Sequence, residues 1–323
     1  MVTHGLLPYS VIIPVHNGAG YIRRALESVF AQTVQPDEVL VVDDGSRDKS
    51  GELAKGVDPR VIVHRHDQNR GPSEARNTGI RNSRNELIGF LDSDDWWSPD
   101  KMEQQLALFT ARPGLIAVFS DFQERDTYGD NIGWQGGTLD LLSGLGLAME
   151  RIEENAYLLN GSVAAALIFH TSFIATASVV VRRSAFDRAG FFDPSYLIGE
   201  DLDMWIRLSL AGSIGYVDSR LVMKEKRPAS LSHQTARMFE DLTRLYAGLP
   251  SRIPDLPEGV KDHIFRFLKR EYRGLGWYYR TKGEYQKSRH YYRLSLQQRF
   301  TMRTLAGLAR TYLEEFVPAL SEH

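Results

Sequence analysis

The chain of 323 residues contains no cysteine. Disulfide bonds, thiolate metal sites and a cysteine nucleophile are therefore excluded, and the absence is compatible with a reducing compartment. The first ten residues also lack the basic segment and the long apolar segment of a secretory signal. These absences predict a cytoplasmic protein.

Long uncharged stretches are scarce as well. Only the stretch 155–181, which is free of Asp, Glu, Lys and Arg, is long enough to be considered as a membrane span. Its asparagine, serine, threonine and histidine residues make it rather polar for that role. A buried helix followed by a strand, Ala177–Val181, is the expected structure.

The formal net charge of −2 conceals an uneven distribution. Between Lys261 and Arg310 there are 13 Lys and Arg against 3 Asp and Glu, so the rest of the chain is acidic. A basic segment of this kind favours an anionic partner. The alternative is a solvated helical surface.

The first 120 residues alternate short apolar runs with segments of helical periodicity, which indicates repeated βα units. The predicted strands are Ser10–Pro14, Glu38–Asp43, Val61–His64, Leu87–Leu91 and Ile116–Asp121. The predicted helices are Tyr21–Ala31, one from Ser46 or Asp48 to Lys55, Gly71–Asn82 and Lys101–Ala111. Three of the strands end in polar turns, and parallel strands share one carboxyl edge, so these turns are expected to converge.

The most acidic of these turns follows Leu87–Leu91 and contains Asp92, Asp94 and Asp95. If the backbone stays extended, the side chains of Asp92 and Asp94 leave the same face and share one hard cation through oxygen. A solvated acidic turn is the alternative, and the turn alone does not exclude it. The convergence with Asp43-Asp44 at the same sheet edge favours a site.

Beyond residue 125 the pattern is less regular. The segment 126–160 is expected to be Gly-rich and then helical, and Arg182–Ala189 is expected to be helical. Another helix is expected to begin at Glu200 and Asp201, whose charges stabilise the positive end of the helix dipole. Two domains are predicted, an α/β domain in 1–230 and a helical C-terminal region in 231–323.

Within the C-terminal region, the spacing of small and aromatic residues between Leu275 and Leu296 is that of one tetratricopeptide hairpin. Phe300 stands where the closing proline is expected. Because one repeat cannot form a solenoid, the segment is expected to be a helical hairpin that packs on the rest of the chain or on a partner. Dimerisation of the chain is one form of the second alternative.

Five motifs, taken in order, resemble the family 2 glycosyltransferases. They lie at residues 11–17 (VIIPVHN), 41–48 (VVDDGSRD), 69–79 (NRG and ARNTG), 90–95 (FLDSDD) and 199–208 (GEDLDMWIRL). The resemblance implies an inverting, nucleotide-sugar-dependent enzyme with the GT-A fold. That fold is a Rossmann-like, mainly parallel sheet flanked by helices, here followed by the C-terminal helical region.

The resemblance places the donor nucleotide against the polar turns. The implied nucleotide-binding residues are Pro14, His16, Asn17, Asp43, Asp44, Arg76, Asp92 and Ser93. A carboxylate of Asp43 or Asp44 would accept a hydrogen bond from the base or the ribose. Arg76 would face the diphosphate, whose oxygens a guanidinium matches. The alternative for Arg76 is a helix-surface arginine paired with an acid.

Asp92 and Asp94 match the Asp-x-Asp pair of the family, which implies Mg²⁺ or Mn²⁺ bound to Asp94 and Asp92. Such an ion stabilises the charge of the departing nucleoside diphosphate. Asp201 matches the family's catalytic base, which takes the proton of the acceptor hydroxyl. Glu200 is implied beside it as a residue that orients the loop, the sugar or the acceptor.

The chain departs from the family pattern at two places. Gly18-Ala19-Gly20 stands where many relatives carry an acid, and Arg227–Ser232 stands where many carry His-Pro-Gly-Ser-Leu-Ser. Either the ion has fewer protein ligands, or His233 supplies one. Asp95 with Trp96 and Trp97 is expected to shape the floor under the sugar or acceptor, and 126–170 the acceptor site.

The predicted function is transfer of a single sugar from a nucleotide-linked donor, UDP-linked, to a hydroxyl of a glycan or lipid-linked acceptor, as in polysaccharide biosynthesis. Basic and aromatic residues around Trp277 suit the anionic inner face of a membrane, where the protein would be peripheral. Nucleic acid is not an expected partner. The alternatives are a nucleotidyltransferase, which is expected to open with a Gly-rich loop, and a silent nucleotide-sugar-binding scaffold, which has no need of a base.

Overall fold

The computed structural model describes residues 7–125, 137–160, 163–169, 173–225 and 235–316. The chain divides into two compact units, Met1–Ser230 and Leu231–His323. The described strands all belong to the first unit, and the described part of the second unit is helical.

One sheet of ten strands forms the centre of the first unit. The strands are β1 (Tyr9–Val15), β2 (Glu38–Asp43), β3 (Val61–Arg65), β4 (Leu87–Phe90), β5 (Trp96–Trp97), β6 (Leu115–Arg125), β7 (Ala148–Glu153), β8 (Ala156–Asn160), β9 (Val180–Arg182) and β10 (Ser213–Glu225). Their order is β3-β2-β1-β4-β9-β6-β10-β8-β7, and β5 pairs with β10. The neighbours from β3 to β4 are parallel, as are β6 and β10, whereas β9 is antiparallel to β4 and β6.

Helices cover this sheet. They are α1 (Ile22–Phe30), α2 (Ser50–Lys55), α3 (Pro72–Asn82), α4 (Lys101–Ala111), α5 (Thr138–Gly144), α6 (Val163–Phe169), α7 (Ala185–Ala189) and α8 (Glu200–Ala211). Every residue of β2 and β4 is buried, because strands covered on both faces exclude water from both sets of side chains. The predicted mainly parallel sheet flanked by helices is confirmed.

The prediction for 126–160 is partly wrong. Only α5 is helical among its described residues, and the chain then forms the antiparallel pair β7 and β8. The backbone of β8 pairs with β10 at register Ile214↔Leu159, so tertiary pairing decides the conformation here. Residues 126–136, 161–162 and 170–172 lie outside the described part, and with them about a third of the segment 126–170 that is expected to shape the acceptor site.

The second unit contains four helices among its described residues. They are α9 (Thr235–Arg252), α10 (Glu258–Thr281), α11 (Tyr285–Gln298) and α12 (Met302–Phe316). A three-residue turn with Gly283 at φ +73 joins α10 to α11 as a hairpin. Pro250 lies inside α9. No helix in the described ranges is long and apolar enough to cross a membrane.

Candidate active site

The acidic residues that follow β4 form a turn. The Asp95 N–H donates to the carbonyl oxygen of Asp92 at 3.0 Å, so the backbone is not extended between them. The prediction that Asp92 and Asp94 leave one face of an extended strand is therefore wrong in its premise. Asp92 and Asp94 are partly exposed, whereas Asp95 is buried. A serine between them, Ser93, lies beside Gly18 just after β1.

Arg76 on α3 connects this turn to the start of α8. Its Nη2 donates to Asp92 Oδ1 at 2.9 Å, and its Nη1 donates to Glu200 Oε1 at 2.8 Å. The residue is 5% exposed, so the two contacts form a buried bridge and not a surface ion pair. The structure thus places Arg76 between two protein carboxylates.

The buried bridge sets the protonation of its acids. Burial opposes the charge of Asp92, but Arg76 and Lys224 lower the pKa of that carboxyl below its usual value. Burial and the charge of Asp201 raise the pKa of Glu200 to about 7, against the opposite effect of Arg76. Asp92 is consequently the charged partner of Arg76 at neutral pH, and Glu200 exchanges a proton near neutrality.

Lys224, near the end of β10, lies among the acids of the site. The antiparallel pair Met223↔Trp96 brings it opposite Asp95. Burial opposes its charge, but Asp95, Asp92 and Asp201 raise the pKa of Lys224. The sequence analysis missed this residue, because a single lysine near the end of a strand carries no motif.

Asp95 is buried and connects the turn to β10. Its Oδ1 accepts from the Glu225 N–H at 3.1 Å, and its Oδ2 has no partner among the described residues. Burial, together with the charges of Asp94 and Asp92, raises the pKa of Asp95 well above its usual value despite Lys224. Burial therefore disfavours the charged form of this carboxyl.

The two tryptophans after the turn have different positions. Trp97 is 3% exposed, and its indole N–H donates to the Ala177 carbonyl at 2.8 Å. The prediction that Trp97 shapes a floor for sugar or acceptor is wrong, because its ring is part of the core. The guanidinium of Arg24 lies 3.9 Å from the ring centre of Trp96. The same guanidinium donates to the carbonyl oxygen of Asp94 at 3.0 Å.

Asp201 lies beside Glu200 in the first turn of α8 but is more exposed than Glu200. Gly199, at φ +85, provides the left-handed residue that precedes the helix. The Thr176 hydroxyl donates to Asp201 Oδ2 at 3.5 Å, and the Leu202 N–H donates to Oδ1 at 2.7 Å. This carboxylate is open to a second molecule, whereas that of Glu200 is held by Arg76.

A cavity of about 510 Å³ opens at the carboxyl ends of β1, β2 and β3. Among the residues that line it are His16, Asn17, Ser46, Arg47, Arg65 and Gln68. Asn17 adopts φ +52, a left-handed conformation that asparagine tolerates, and its Oδ1 accepts from the Arg47 N–H at 2.8 Å. At Gly45 (φ +69) a Cβ would lie 2.5 Å from the backbone of Gln68, so glycine lets the two loops meet.

Asp43 and Asp44 hold the loops around this cavity. Asp43 accepts from the Ser46 N–H at 2.8 Å and from Arg65 at 2.5 Å. Asp44 accepts from the Arg70 N–H at 2.9 Å and the Gly71 N–H at 2.8 Å, with His66 Nδ1 at 2.7 Å. Both acids are buried and neither lines the cavity, and Pro14 is an internal residue of β1.

The acidic turn supplies hard oxygen donors for a divalent ion. Mg²⁺ is usually bound by one or two carboxylates together with substrate phosphates, and Asp92 and Asp94 provide that number. Asp92 is shared with Arg76, and the described residues contain no group of three His, Cys, Asp or Glu able to hold a metal. The residues therefore fit Mg²⁺ or Mn²⁺ only with phosphate oxygens in the remaining positions. Arg227–Ser232 and His233 lie outside the described ranges.

The structure has the features of a GT-A type glycosyltransferase. These are a mainly parallel sheet, a polar cavity at the carboxyl ends of its first strands, and an acidic turn that is joined to a helix that begins with two acids. Residues 10–189 match the family described as Glycosyl transferase family 2, and residues 148–318 match Glycosyl transferase family group 2. The chain belongs to glycosyl transferase family 2.

Relatives agree with this assignment. The chain is 26% identical over 246 residues to an uncharacterized glycosyltransferase of Rickettsia typhi, RT0329, which covers 76% of this chain and 72% of the relative. It is 34% identical over 214 residues to an uncharacterized glycosyltransferase of Rickettsia felis, which covers 66% of this chain and only 32% of that longer protein.

Among solved structures, the chain is similar to Staphylococcus aureus TarS. The crystal structure of TarS 1-349 in complex with UDP-GlcNAc superimposes with a TM-score of 0.64 at 19% sequence identity, covering 97% of this chain and 91% of that one. The complex of the same protein with UDP gives a TM-score of 0.62. At this identity the likeness shows the shared GT-A fold.

Proposed function

We propose that this glycosyltransferase moves one sugar from a UDP-linked donor to a hydroxyl of a glycan or lipid-linked acceptor, with inversion at the anomeric carbon. The observation that carries the proposal is the buried bridge of Arg76, which joins Asp92 of the acidic turn to Glu200, the neighbour of Asp201. This bridge holds the acidic turn, which we assign to the donor, next to Asp201, which we assign to the acceptor. The TarS complex with UDP-GlcNAc supports the choice of a UDP-linked donor.

The donor nucleoside occupies the cavity between His16, Asn17 and Ser46. Ser93, which lies beside Gly18, connects this cavity to the acidic turn, so the diphosphate extends from one to the other. The negative charge of a diphosphate is tolerated there because Arg76 and Lys224 offset the carboxylates of the site. Asp43 and Asp44 contribute by holding the loops of the cavity.

Asp201 is the general base. Its partly exposed carboxylate takes the proton of the acceptor hydroxyl as that oxygen forms its bond to the anomeric carbon. The bond from the same carbon to the nucleoside diphosphate oxygen breaks on the opposite face, which inverts the configuration. The ion pair between Glu200 and Arg76 holds the start of α8 at a fixed position relative to the acidic turn.

A divalent ion, Mg²⁺ or Mn²⁺, would be held by Asp94 and Asp92 with the phosphates of the donor. When bound, it supplies Lewis-acid stabilisation of the leaving nucleoside diphosphate. Side chains of the protein hold the turn in the conformation that this binding requires. Arg24 contributes by donating to the carbonyl oxygen of Asp94.

One observation favours a second arrangement in which Glu200 is the base. Its pKa of about 7 is close to the value at which a general base works best. Against it stand the burial of Glu200 and its contact with Arg76, which direct the carboxylate toward the protein.

The decisive experiment measures transfer and donor hydrolysis with UDP-, GDP- and dTDP-sugars for wild type, Asp201→Asn and Glu200→Gln. We expect activity with a UDP-sugar only, loss of transfer in Asp201→Asn with donor binding unchanged, and residual transfer in Glu200→Gln. A preference for GDP or dTDP would overturn the donor, and normal turnover of Asp201→Asn would overturn the base. Loss of transfer in Glu200→Gln alone would assign the proton transfer to Glu200.

A further inference from the structure

The helical unit contains a second cavity, of about 620 Å³, with a basic lining. Four arginines line it, Arg273 and Arg280 on α10 and Arg303 and Arg310 on α12, and we refer to it as the arginine cavity. None of its lining residues is acidic. A space of this size accommodates a small ligand, and its charge selects an anion.

The two helices present their arginines in the same way. On each helix the two arginines are seven residues apart, which is about 10 Å along the axis and brings both side chains to one face. Between them stand small residues, Gly274 on α10 and Ala306-Gly307 on α12. Cations therefore border a hollow that the small residues keep open.

One wall of the arginine cavity is closely packed. The ring of Tyr292 on α11 is 3% exposed and packs against two glycines. A Cβ at Gly276 would lie 2.8 Å from this ring, and a Cβ at Gly307 would lie 2.6 Å from it. At the rim, the side chain of Trp277 is 57% exposed and offers an aromatic surface.

Of the four arginines of the arginine cavity, only Arg280 has an acidic partner among the described residues. Arg280 pairs with Glu314, but its Nε is buried without a partner among the described residues. Arg273, Arg303 and Arg310 have no acidic partner within the described ranges. Four guanidinium groups thus face one small space, and Glu314 is their single acidic partner in the part of the chain that the structure describes.

We propose that the arginine cavity binds a ligand that carries at least two phosphate groups. The planar fork of a guanidinium matches phosphate oxygens in pairs, and two rows of cations require more than one anionic group for neutralisation. The ligand is either a soluble polyphosphorylated molecule or the headgroup of an anionic lipid, whose acyl chains would meet the exposed ring of Trp277. This site is in the helical unit and does not depend on the transfer reaction.

The test uses the full-length protein and two probes, inorganic tripolyphosphate and vesicles of cardiolipin, whose headgroup carries two phosphates, in phosphatidylcholine. Arg303→Gln/Arg310→Gln removes two exposed cations of the arginine cavity. The matched control, Arg266→Gln/Arg299→Gln, removes two exposed cations elsewhere in the same unit. Binding is measured by calorimetry for tripolyphosphate and by vesicle sedimentation for the lipid, and thermal unfolding verifies that both variants fold.

We expect the cavity variant to bind about 30-fold more weakly than wild type and the control to stay within about threefold. Weakening with tripolyphosphate alone identifies a soluble phosphate ligand, and weakening with vesicles identifies a lipid headgroup; either result supports the site. Equal weakening in both variants indicates a diffuse charge effect and overturns the proposal. Absence of binding by the wild type to both probes overturns it as well.

Discussion

Arg76 Nη1 lies 2.8 Å from Glu200 Oε1, and these two residues are 124 positions apart in the chain. The same guanidinium reaches Asp92 at 2.9 Å. The start of α8 and the acidic turn after β4 are therefore fixed to each other through one buried side chain. Because the turn is the proposed donor side and α8 carries the proposed base, this bridge sets the spacing between the two groups that the proposed transfer requires.

Arg76→Gln is expected to destabilise the protein by about 3 kcal/mol, because it leaves buried Glu200 and partly exposed Asp92 without their cation. Urea unfolding measures the change. Arg81→Gln on the same helix is the control, since its pair with Glu74 is half-exposed and is worth about 1 kcal/mol or less. Equal losses of unfolding free energy in the two variants would show that the buried bridge contributes no more to stability than a half-exposed ion pair.

Chelation is expected to lower sugar transfer at least about tenfold, since a Lewis acid contributes several kcal/mol to stabilising the leaving group. Mg²⁺ or Mn²⁺ should restore the rate of wild type but not that of Asp94→Asn. Asp100→Asn, an acid outside the turn, should respond like wild type. Transfer that is insensitive to chelator would remove the metal from the mechanism and leave charge compensation to Arg76 and Lys224.

Lys101 on α4 is fully buried, with its Nζ 2.6 Å from Gln105 Oε1 and 4.1 Å from the ring centre of Trp97. Burial lowers the pKa of Lys101 well below its usual value. At pH values between the native and the unfolded pKa, the unfolded chain binds a proton that the native state lacks, so this group makes stability rise with pH up to its unfolded pKa of about 10.4.

Lys101→Met should remove this rise, which amounts to about 1.4 kcal/mol per pH unit for one proton. Urea unfolding at a series of pH values between neutrality and the unfolded pKa gives the slope for wild type and variant. Exposed Lys55→Met should keep the wild-type slope. Identical slopes in all three proteins would mean that Lys101 is charged in the native state.

Gly276→Ala is expected to destabilise the helical unit by about 1–3 kcal/mol, because the added Cβ would lie 2.8 Å from the buried ring of Tyr292. Gly274→Ala, two residues earlier on α10, meets no atom within 4 Å and should stabilise the helix by up to about 1 kcal/mol. Thermal unfolding distinguishes the opposite signs. Stabilisation by both substitutions would mean that Tyr292 is not packed against α10.

Local sequence patterns predict several of the strands and helices of this fold. The apolar runs that become β1, β2 and β4 are readable because strands buried on both faces need continuous apolar residues. The helix α1 is readable because Ile22, Ala25, Leu26 and Val29 recur at helical spacing, and all four are buried. The antiparallel pair of β7 and β8 is not readable in the same way, since its partner β10 lies about 60 positions later in the chain.

The sequence by itself determined the family and the chemical character of the site, because the motifs around Asp92 and Asp201 consist of particular residue types at short spacing. Only the tertiary structure decided how those residues are used. It turned the backbone at Asp92, buried Trp97 in the core, and brought Arg76 and Lys224 to the carboxylates. These outcomes depend on contacts between distant segments, and the energy of such contacts is set by burial and charge in the folded protein, which no local pattern encodes.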